Sequence, residues 1–228
     1  MLQNYEAECI DLMIGARRLS LLHVRDLERY VDREALLQDD TAEPPYWAHL
    51  WTGALTLARY IEEHVDCQDL AVLDLGCGLG LTGIVAGLKG GRMTFADKEA
   101  DALAFAAANA RLNGCPSFTT LNLDFTQEAL NEQGVTEGTE QKFSLILGAE
   151  ILYDRPTFPA LVSFLHRHLA PYGQAIVADA RRTNTEEFYQ QLTQAGLRWT
   201  REERQEREGT LPLTVSLATI EHNADGYQ

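Results

Sequence analysis

The stretch Val72-Leu73-Asp74-Leu75-Gly76-Cys77-Gly78-Leu79-Gly80-Leu81-Thr82-Gly83 runs an apolar segment into glycines and then into a helix-forming sequence. Glycines at such a turn let the backbone fold back sharply and let a ligand approach main-chain atoms without meeting a Cβ. Two nucleotide-derived cofactors use loops of this kind. Gly78-x-Gly80-x-x-Gly83 matches the dinucleotide fingerprint, but in that register the strand would have to run on through Asp74 and Gly76. The register Asp74-x-Gly76-x-Gly78-x-Gly80 instead ends the strand on a carboxylate. That suits a cofactor with a cationic amino group and no pyrophosphate, which is the chemistry of S-adenosylmethionine. A purely structural tight turn is the plain alternative.

Two further acids fall where such a cofactor would need them. Asp97 ends the segment Met93-Thr94-Phe95-Ala96-Asp97, 21 residues after Gly76, where a carboxylate can accept both hydroxyls of a ribose. Its alternative role is to cap the following helix. Asp124, in Leu121-Asn122-Leu123-Asp124-Phe125, is placed to accept from an adenine amino group, and Phe125 to cover the adenine face. A loop cap and a core aromatic are the competing readings. No metal is indicated: Cys9, Cys67, Cys77 and Cys115 form no C-x-x-C, and His166 and His168 point to different faces of one helix.

The elements that must position these residues alternate. Gly53–His64 reads as a helix, Leu70–Leu75 as a buried strand, and Leu81–Leu88 as a helix ending at Gly90-Gly91. Arg92–Asp97 is a strand, Glu99–Asn113 an Ala-rich helix stopped by Gly114, and Ser117–Leu121 and Phe143–Leu147 are strands. Pro156–Leu169 reads as a helix, Ala175–Asp179 as a strand, and Asn184-x-x-Glu187 as a capping box for a helix ending at Gly196. Leu197–Glu203 and Leu211–Ile220 then read as strands separated by Arg204–Thr210, too short for a crossover helix, so they form an antiparallel hairpin. The fold expected is α/β: a Rossmann-like, doubly wound, seven-stranded and mostly parallel sheet closed by that hairpin. Before it, Cys9–Ile14 and Arg17–Val24 form a β-ribbon about Gly15-Ala16, and Asp26–Leu37 a short helix. The polar break Asp39–Pro45 separates an extension at 1–40 from a main domain at 41–228. The second half of the polar stretch between Thr126 and Gln141 reads as a surface loop.

Composition narrows the partners. Lys+Arg 19 against Asp+Glu 34 in 228 residues gives a net charge of −15, which opposes binding to nucleic acid or anionic membrane. Arg181-Arg182, the densest basic pair beside Arg17-Arg18, is a candidate contact for an acidic substrate segment, with plain surface charge as the alternative. No apolar run reaches the roughly 20 residues of a membrane helix, and the acidic N-terminus lacks the pattern of a signal peptide. A soluble, cytoplasmic protein is expected.

Over nearly its whole length the chain resembles the class I, seven-strand S-adenosylmethionine-dependent methyltransferases, on the strength of the Asp74–Gly80 loop, Asp97, Asp124 and the terminal hairpin. More narrowly, Pro44-Pro45-Tyr46-Trp47-Ala48-His49-Leu50-Trp51-Thr52-Gly53-Ala54, Leu123-Asp124-Phe125 and Gly148-Ala149-Glu150-Ile151-Leu152-Tyr153 resemble methyltransferase family 16. Within it, Pro-Pro-Tyr-Trp-Ala is similar to the electron-transfer-flavoprotein β-subunit lysine methyltransferases. Bacterial members are often labelled nicotinamide N-methyltransferase-like. The resemblance implies that Trp51 packs at the cofactor, that Gly76, Cys77 and Gly78 form its loop, that Asp97 holds ribose, and that Ala149 lies beside the adenosyl group. It also implies an acid and an aromatic at Glu150 and Tyr153, although the family usually has Asp at the first. Position 125 is commonly Trp in the family, and Thr52 replaces a frequent Pro.

On that footing the expected activity is methylation of lysine side chains on a protein substrate. Glu150 holds the incoming ammonium, and Tyr153 orients the amine or shapes its channel. The alternative for this pair is a helix cap and a core aromatic. N-methylation of a small amine or nicotinamide-like molecule uses the same site. An NAD-dependent oxidoreductase and a non-catalytic cofactor-binding partner protein are the readings outside the class. No Asn-Pro-Pro-Tyr segment follows the fourth strand, and no acidic cluster argues for catalytic magnesium.

Overall fold

The computed structural model describes residues 5–31, 44–128, 141–180 and 183–223. Residues 32–37 of the expected N-terminal helix, most of the expected polar loop and Arg181-Arg182 lie outside the described residues.

Seven strands form one sheet in the order β5-β4-β3-β6-β7-β9-β8. They are β3 (Ala71–Leu75), β4 (Arg92–Asp97), β5 (Phe118–Asn122), β6 (Phe143–Ala149), β7 (Leu169–Asp179), β8 (Leu197–Glu208) and β9 (Leu211–His222). The first five are parallel, and β9 runs antiparallel between β7 and β8. From β3 the chain winds outward through β4 and β5, then returns to lay β6 on the other side of β3. The order therefore reverses between β3 and β6, and a ligand crevice is expected outside their carboxyl ends.

The apolar runs that make these strands serve both faces. Val72, Leu145, Leu147, Ile176 and Ala178 pack beneath helices α1 (Thr52–His64), α2 (Leu81–Leu88) and α3 (Ala100–Leu112). Their neighbours Leu73, Leu75, Ile146 and Val177 pack beneath α4 (Phe158–His168) and α5 (Glu186–Gln194). Continuous hydrophobicity with a period of two in its destinations is what a parallel sheet covered on both sides requires.

β1 (Ala7–Ile14) and β2 (Arg17–Val24) form the separate ribbon, turning at Gly15 and docking on α3. Three local expectations differ from the structure. Among the described residues of the expected helix, Leu27–Tyr30 is helical as one 3-10 turn; it starts from a left-handed Asp26 that gives no side-chain cap and passes at Val31 into extended backbone. The terminal hairpin is longer than the sequence showed, because β8 continues to Glu208, two residues before β9 begins at Leu211, and β9 continues to His222. Residues 204–208 are all charged or polar, so no apolar alternation marked them as strand. The reciprocal capping box at α5 is half formed. Asn184 Oδ1 accepts from the Glu186 N–H at 3.0 Å, but the Glu187 carboxylate pairs with Arg155 at 2.6 Å instead of reaching back.

Candidate active site

A cavity of about 580 Å³ opens at the switch point between β3 and β6, within the size range of small-molecule sites. Its floor is the loop after β3. Gly76, Gly78 and Gly80 have φ of 64°, 49° and 81°, a left-handed run that residues with a Cβ rarely adopt. The loop is tied down from both sides: the Cys77 N–H donates to Ala96 O at 3.0 Å, and the Gly80 N–H to Cys77 O at 2.7 Å. Gly76, Cys77 and Gly78 line the cavity, while Gly80 sits behind them as the residue that starts α2.

Asp97, at the end of β4, lines the same wall and is 7% exposed. Its Oδ2 accepts from the Gly78 N–H at 2.9 Å and its Oδ1 from the Glu99 N–H at 3.0 Å. It thus fixes the glycine loop and starts the turn into α3 while facing the cavity. Burial pushes its pKa up, and the two N–H donors oppose that shift. Asp124 and Phe125 also line the cavity. Asp124 Oδ1 is engaged by the backbone and hydroxyl of Thr126, at 2.9 and 2.6 Å.

Asp74 is turned the other way. Alternation along β3 sends it toward α2, where Oδ1 accepts from Thr82 Oγ1 at 2.7 Å and Oδ2 from the Gly83 N–H at 2.9 Å. It is 1% exposed and is not among the residues lining the cavity. The expected contact with a cofactor amino group is corrected accordingly: Asp74 holds the first turn of α2, and the loop that precedes this helix faces the cavity. Burial, reinforced by Asp97 nearby, pushes its carboxyl up to about 7 despite the two hydrogen bonds.

The opposite wall rises from β6. Ala149 ends the strand, and Glu150 follows in a left-handed conformation, φ 57°. A non-glycine residue there is strained, and such strain persists only where surrounding bonds impose it. Here the Glu150 N–H donates to Ala178 O at 2.7 Å. Its Oε1 accepts from the Gly53 N–H at 3.0 Å, and its Oε2 from the Ala180 N–H at 3.2 Å. Glu150 therefore does not cap the helix after it; it reaches across to the first turn of α1, where the helix dipole favours an anion. An added Cβ at Gly53 would come within 2.4 Å of Oε1 and 2.8 Å of the carboxyl carbon, so the carboxylate would have to shift from this position.

The aromatic residues Tyr46, Trp51 and Tyr153 line the cavity together with Glu150. Trp51, just before α1, donates Nε1–H to Tyr46 O at 2.9 Å, and its ring lies 6.1 Å from Tyr46. Tyr153 stands 5.8 Å from Tyr46 and is 46% exposed, so this end of the cavity meets solvent. Asp179, which is buried, and Thr183 also line the cavity, and Thr183 Oγ1 donates to Tyr153 O at 3.0 Å. Sequence reasoning assigned no role to Tyr46, Asp179, Thr183 or Tyr5. Asp179 carried a usable signal, because it ends a parallel strand at the crevice as Asp97 does. Tyr5 carried none, since nothing local reveals where the ribbon docks.

Among the described lining residues the charged groups are Asp97, Glu99, Asp124, Glu150 and Asp179 against Lys98. An anionic wall of this kind fits a cofactor bearing a sulfonium and an amino group. Among the described residues no group of three His, Cys, Asp or Glu is arranged to hold a metal.

The sheet order with its reversed seventh strand, the glycine loop and the acid ending the next strand together define a class I methyltransferase fold. A solved S-adenosylmethionine-dependent methyltransferase from Agrobacterium tumefaciens has the same fold, with a TM-score of 0.65 at 16% identity over 96% of this chain and 72% of that one. A family model described as lysine methyltransferase matches residues 32–195, and the chain belongs to that family. It is 33% identical over 148 residues to EEF1A lysine methyltransferase 3 of Mus musculus, covering 64% of this chain and 61% of the relative. It is 32% identical over 136 residues to the electron transfer flavoprotein β subunit lysine methyltransferase of Rattus norvegicus, covering 58% and 49%. The chain thus spans about three fifths and one half of the lengths of these relatives. The methyl donor of the family is S-adenosylmethionine, and the pocket described above fits it.

Proposed function

We propose that this protein is an S-adenosylmethionine-dependent methyltransferase that modifies lysine side chains of a protein substrate. The observation that carries the reading is the fixed carboxylate of Glu150, which lines one cavity together with Tyr46, Trp51 and Tyr153 and with the glycine loop and Asp97. Gly76, Cys77 and Gly78 would hold the cofactor by main chain, Asp97 its ribose, Asp124 and Phe125 its adenine, with Trp51 packed at the cofactor and Ala149 beside the adenosyl group. When bound, S-adenosylmethionine supplies a methyl carbon activated for in-line displacement. The protein's own task is alignment and exclusion of water.

A free lysine has a pKa near 10.4, so it arrives as an ammonium and must shed a proton before its nitrogen can attack. Glu150, anchored by two backbone N–H groups, attracts that ammonium without moving toward it. Tyr46 and Tyr153 flank the aliphatic stem, and their faces favour a cation by about 0.5–2 kcal/mol. The departing proton leaves by the open rim. In this reading residues 41–228 form the methyltransferase domain and 1–40 an extension of it.

The test is transfer of radiolabelled methyl from S-adenosylmethionine into extract of the source cell. A discrete, protease-sensitive labelled band, mapped to lysine by mass spectrometry, supports the reading. Label confined to small molecules sinks it in favour of a small-amine acceptor.

A further inference from the structure

β2 presents an open edge to α3, and two side-chain amides fill it. The Leu22 N–H donates to Asn109 Oδ1 at 2.7 Å, and Leu22 O accepts from Asn109 Nδ2 at 3.0 Å. Ser20 makes the same pair with Asn113, at 2.9 and 2.7 Å. Strand residues two apart are separated by about 6.7 Å and helix residues four apart by about 6 Å. The amides of one helix face can therefore stand in for a neighbouring strand. Asn109, fully buried, uses its second amide hydrogen on Leu79 O of the glycine loop, at 3.0 Å.

The docked ribbon delivers Tyr5 to the cavity. Tyr5 Oη donates to Asp101 Oδ2 at 3.0 Å. Its ring lies edge-on to Trp47 at 5.4 Å and to Phe105 at 6.1 Å, beside Tyr30 at 5.1 Å. Trp47 in turn overlies the glycine loop, since a Cβ on Gly78 would come within 2.9 Å of Trp47 O. Tyr5 thus bridges Trp47, which overlies the glycine loop, and Asp101 in the first turn of α3 just past the Asp97–Glu99 turn, and with Trp47 it lines the cavity.

We propose that the N-terminal ribbon is part of the cofactor pocket: Tyr5 walls it between the glycine loop and the Asp97–Glu99 turn, and Asn109 with Asn113 holds the ribbon in register with that loop. The inference rests on the S-adenosylmethionine reading above. Ribbon docking and cofactor binding then strengthen each other by the same factor in both directions. Burial and Asp101 push the Tyr5 hydroxyl up to about 12, so it stays a donor throughout the working pH range.

The probe is S-adenosylhomocysteine, titrated calorimetrically and followed by stopped flow on the full chain and on Tyr5→Ala, Tyr5→Phe and Asn113→Ala. Tyr5→Ala is expected to bind about 10-fold more weakly, mostly through faster dissociation, and Tyr5→Phe within about 2-fold, because the ring contacts survive. Asn113→Ala lies outside the cavity and is expected to lose a few-fold. Amide exchange over residues 7–24 slows when S-adenosylhomocysteine is added to the parent protein. If the parent binds well while Tyr5→Ala and Asn113→Ala match it in affinity and dissociation rate, with unchanged melting temperatures, the ribbon has no part in the pocket. If the parent binds no S-adenosylhomocysteine, the cofactor reading itself fails, and this inference with it.

Discussion

The two walls of the crevice are built by opposite means. The β3–β4 wall presents main chain: a left-handed glycine run tied to Ala96 and Asp97, with acids contributed by strand ends close in sequence. The β6–β7 wall presents side chains gathered from far apart: Tyr46 and Trp51 from before α1, Glu150 and Tyr153 from after β6, Asp179 from the end of β7. A main-chain wall suits a ligand that is always the same molecule. A side-chain wall can be altered one residue at a time without disturbing the sheet, and, Trp51 and Ala149 apart, this is the wall assigned here to the acceptor.

Variants that strike one wall alone test the division. The largest effect is expected at Asp97. Asp97→Ala removes the acceptor for the Gly78 and Glu99 N–H groups together with the group assigned to ribose. Unsatisfied buried donors and charged hydrogen bonds each cost about 1–3 kcal/mol, so affinity for S-adenosylhomocysteine should fall at least about 100-fold. Calorimetry showing near-parental affinity would mean that the main-chain wall is not the cofactor wall.

Gly53→Ala strikes the other wall. The new Cβ displaces the Glu150 carboxylate without altering its charge. Misplacement of a catalytic group by about 1 Å can cost on the order of 100-fold. Methyl transfer should therefore fall by roughly that factor, while S-adenosylhomocysteine affinity stays within about 2-fold. Glu150→Gln should follow the same pattern, because its amide NH₂ would face a backbone donor at Gly53 or Ala180. Equal losses of affinity and turnover in both variants would show that the walls are not separable.

The two walls also differed in how far they could be read in advance. The glycine loop, Asp97 and the order of strands were legible because each is local: a strand end, a turn and a helix start lie within a dozen residues. Asp74 was misplaced because the motif fixes its position in the chain but not its face of the strand. Alternation along β3 sends it under α2. Glu150 and Tyr153 were found through resemblance, whereas the partners that hold Glu150 were not. Gly53 and Ala180 lie 97 and 30 residues away in sequence, and only packing brings them to one carboxylate. The ribbon was legible as a hairpin from Gly15-Ala16, but its docking on α3 depends on amides that read simply as helix residues.

A smaller effect is expected at the rim. Tyr153→Phe keeps the ring and should change turnover little if the ring face is what flanks the acceptor. Tyr46→Ala removes a face worth about 0.5–2 kcal/mol to a cation, so it should raise KM for a labelled protein acceptor several-fold and leave kcat largely intact. A fall in kcat with unchanged KM would instead place Tyr46 among the groups that align the reacting nitrogen.

The smallest effect, confined to stability, separates Asp74 from Glu150, two acids that each receive an N–H from the first turn of a helix. Asp74 faces no cavity, and burial raises its carboxyl from an ordinary value of 3.8 to about 7. Between those values the folded protein keeps a proton that the unfolded chain releases, so this group makes stability fall as pH rises through the window. Asp97, also raised by burial, acts in the same direction. Asp74→Asn cannot ionise, and its amide can donate to Thr82 Oγ1 while its oxygen accepts from Gly83. Its melting temperature relative to the parent should therefore climb between pH 5 and pH 8, by about 2–4 °C for each kcal/mol recovered, with S-adenosylhomocysteine affinity little changed. Melting curves at four pH values with a constant difference would show that Asp74 is ionised throughout, and a large loss of affinity would return it to the ligand.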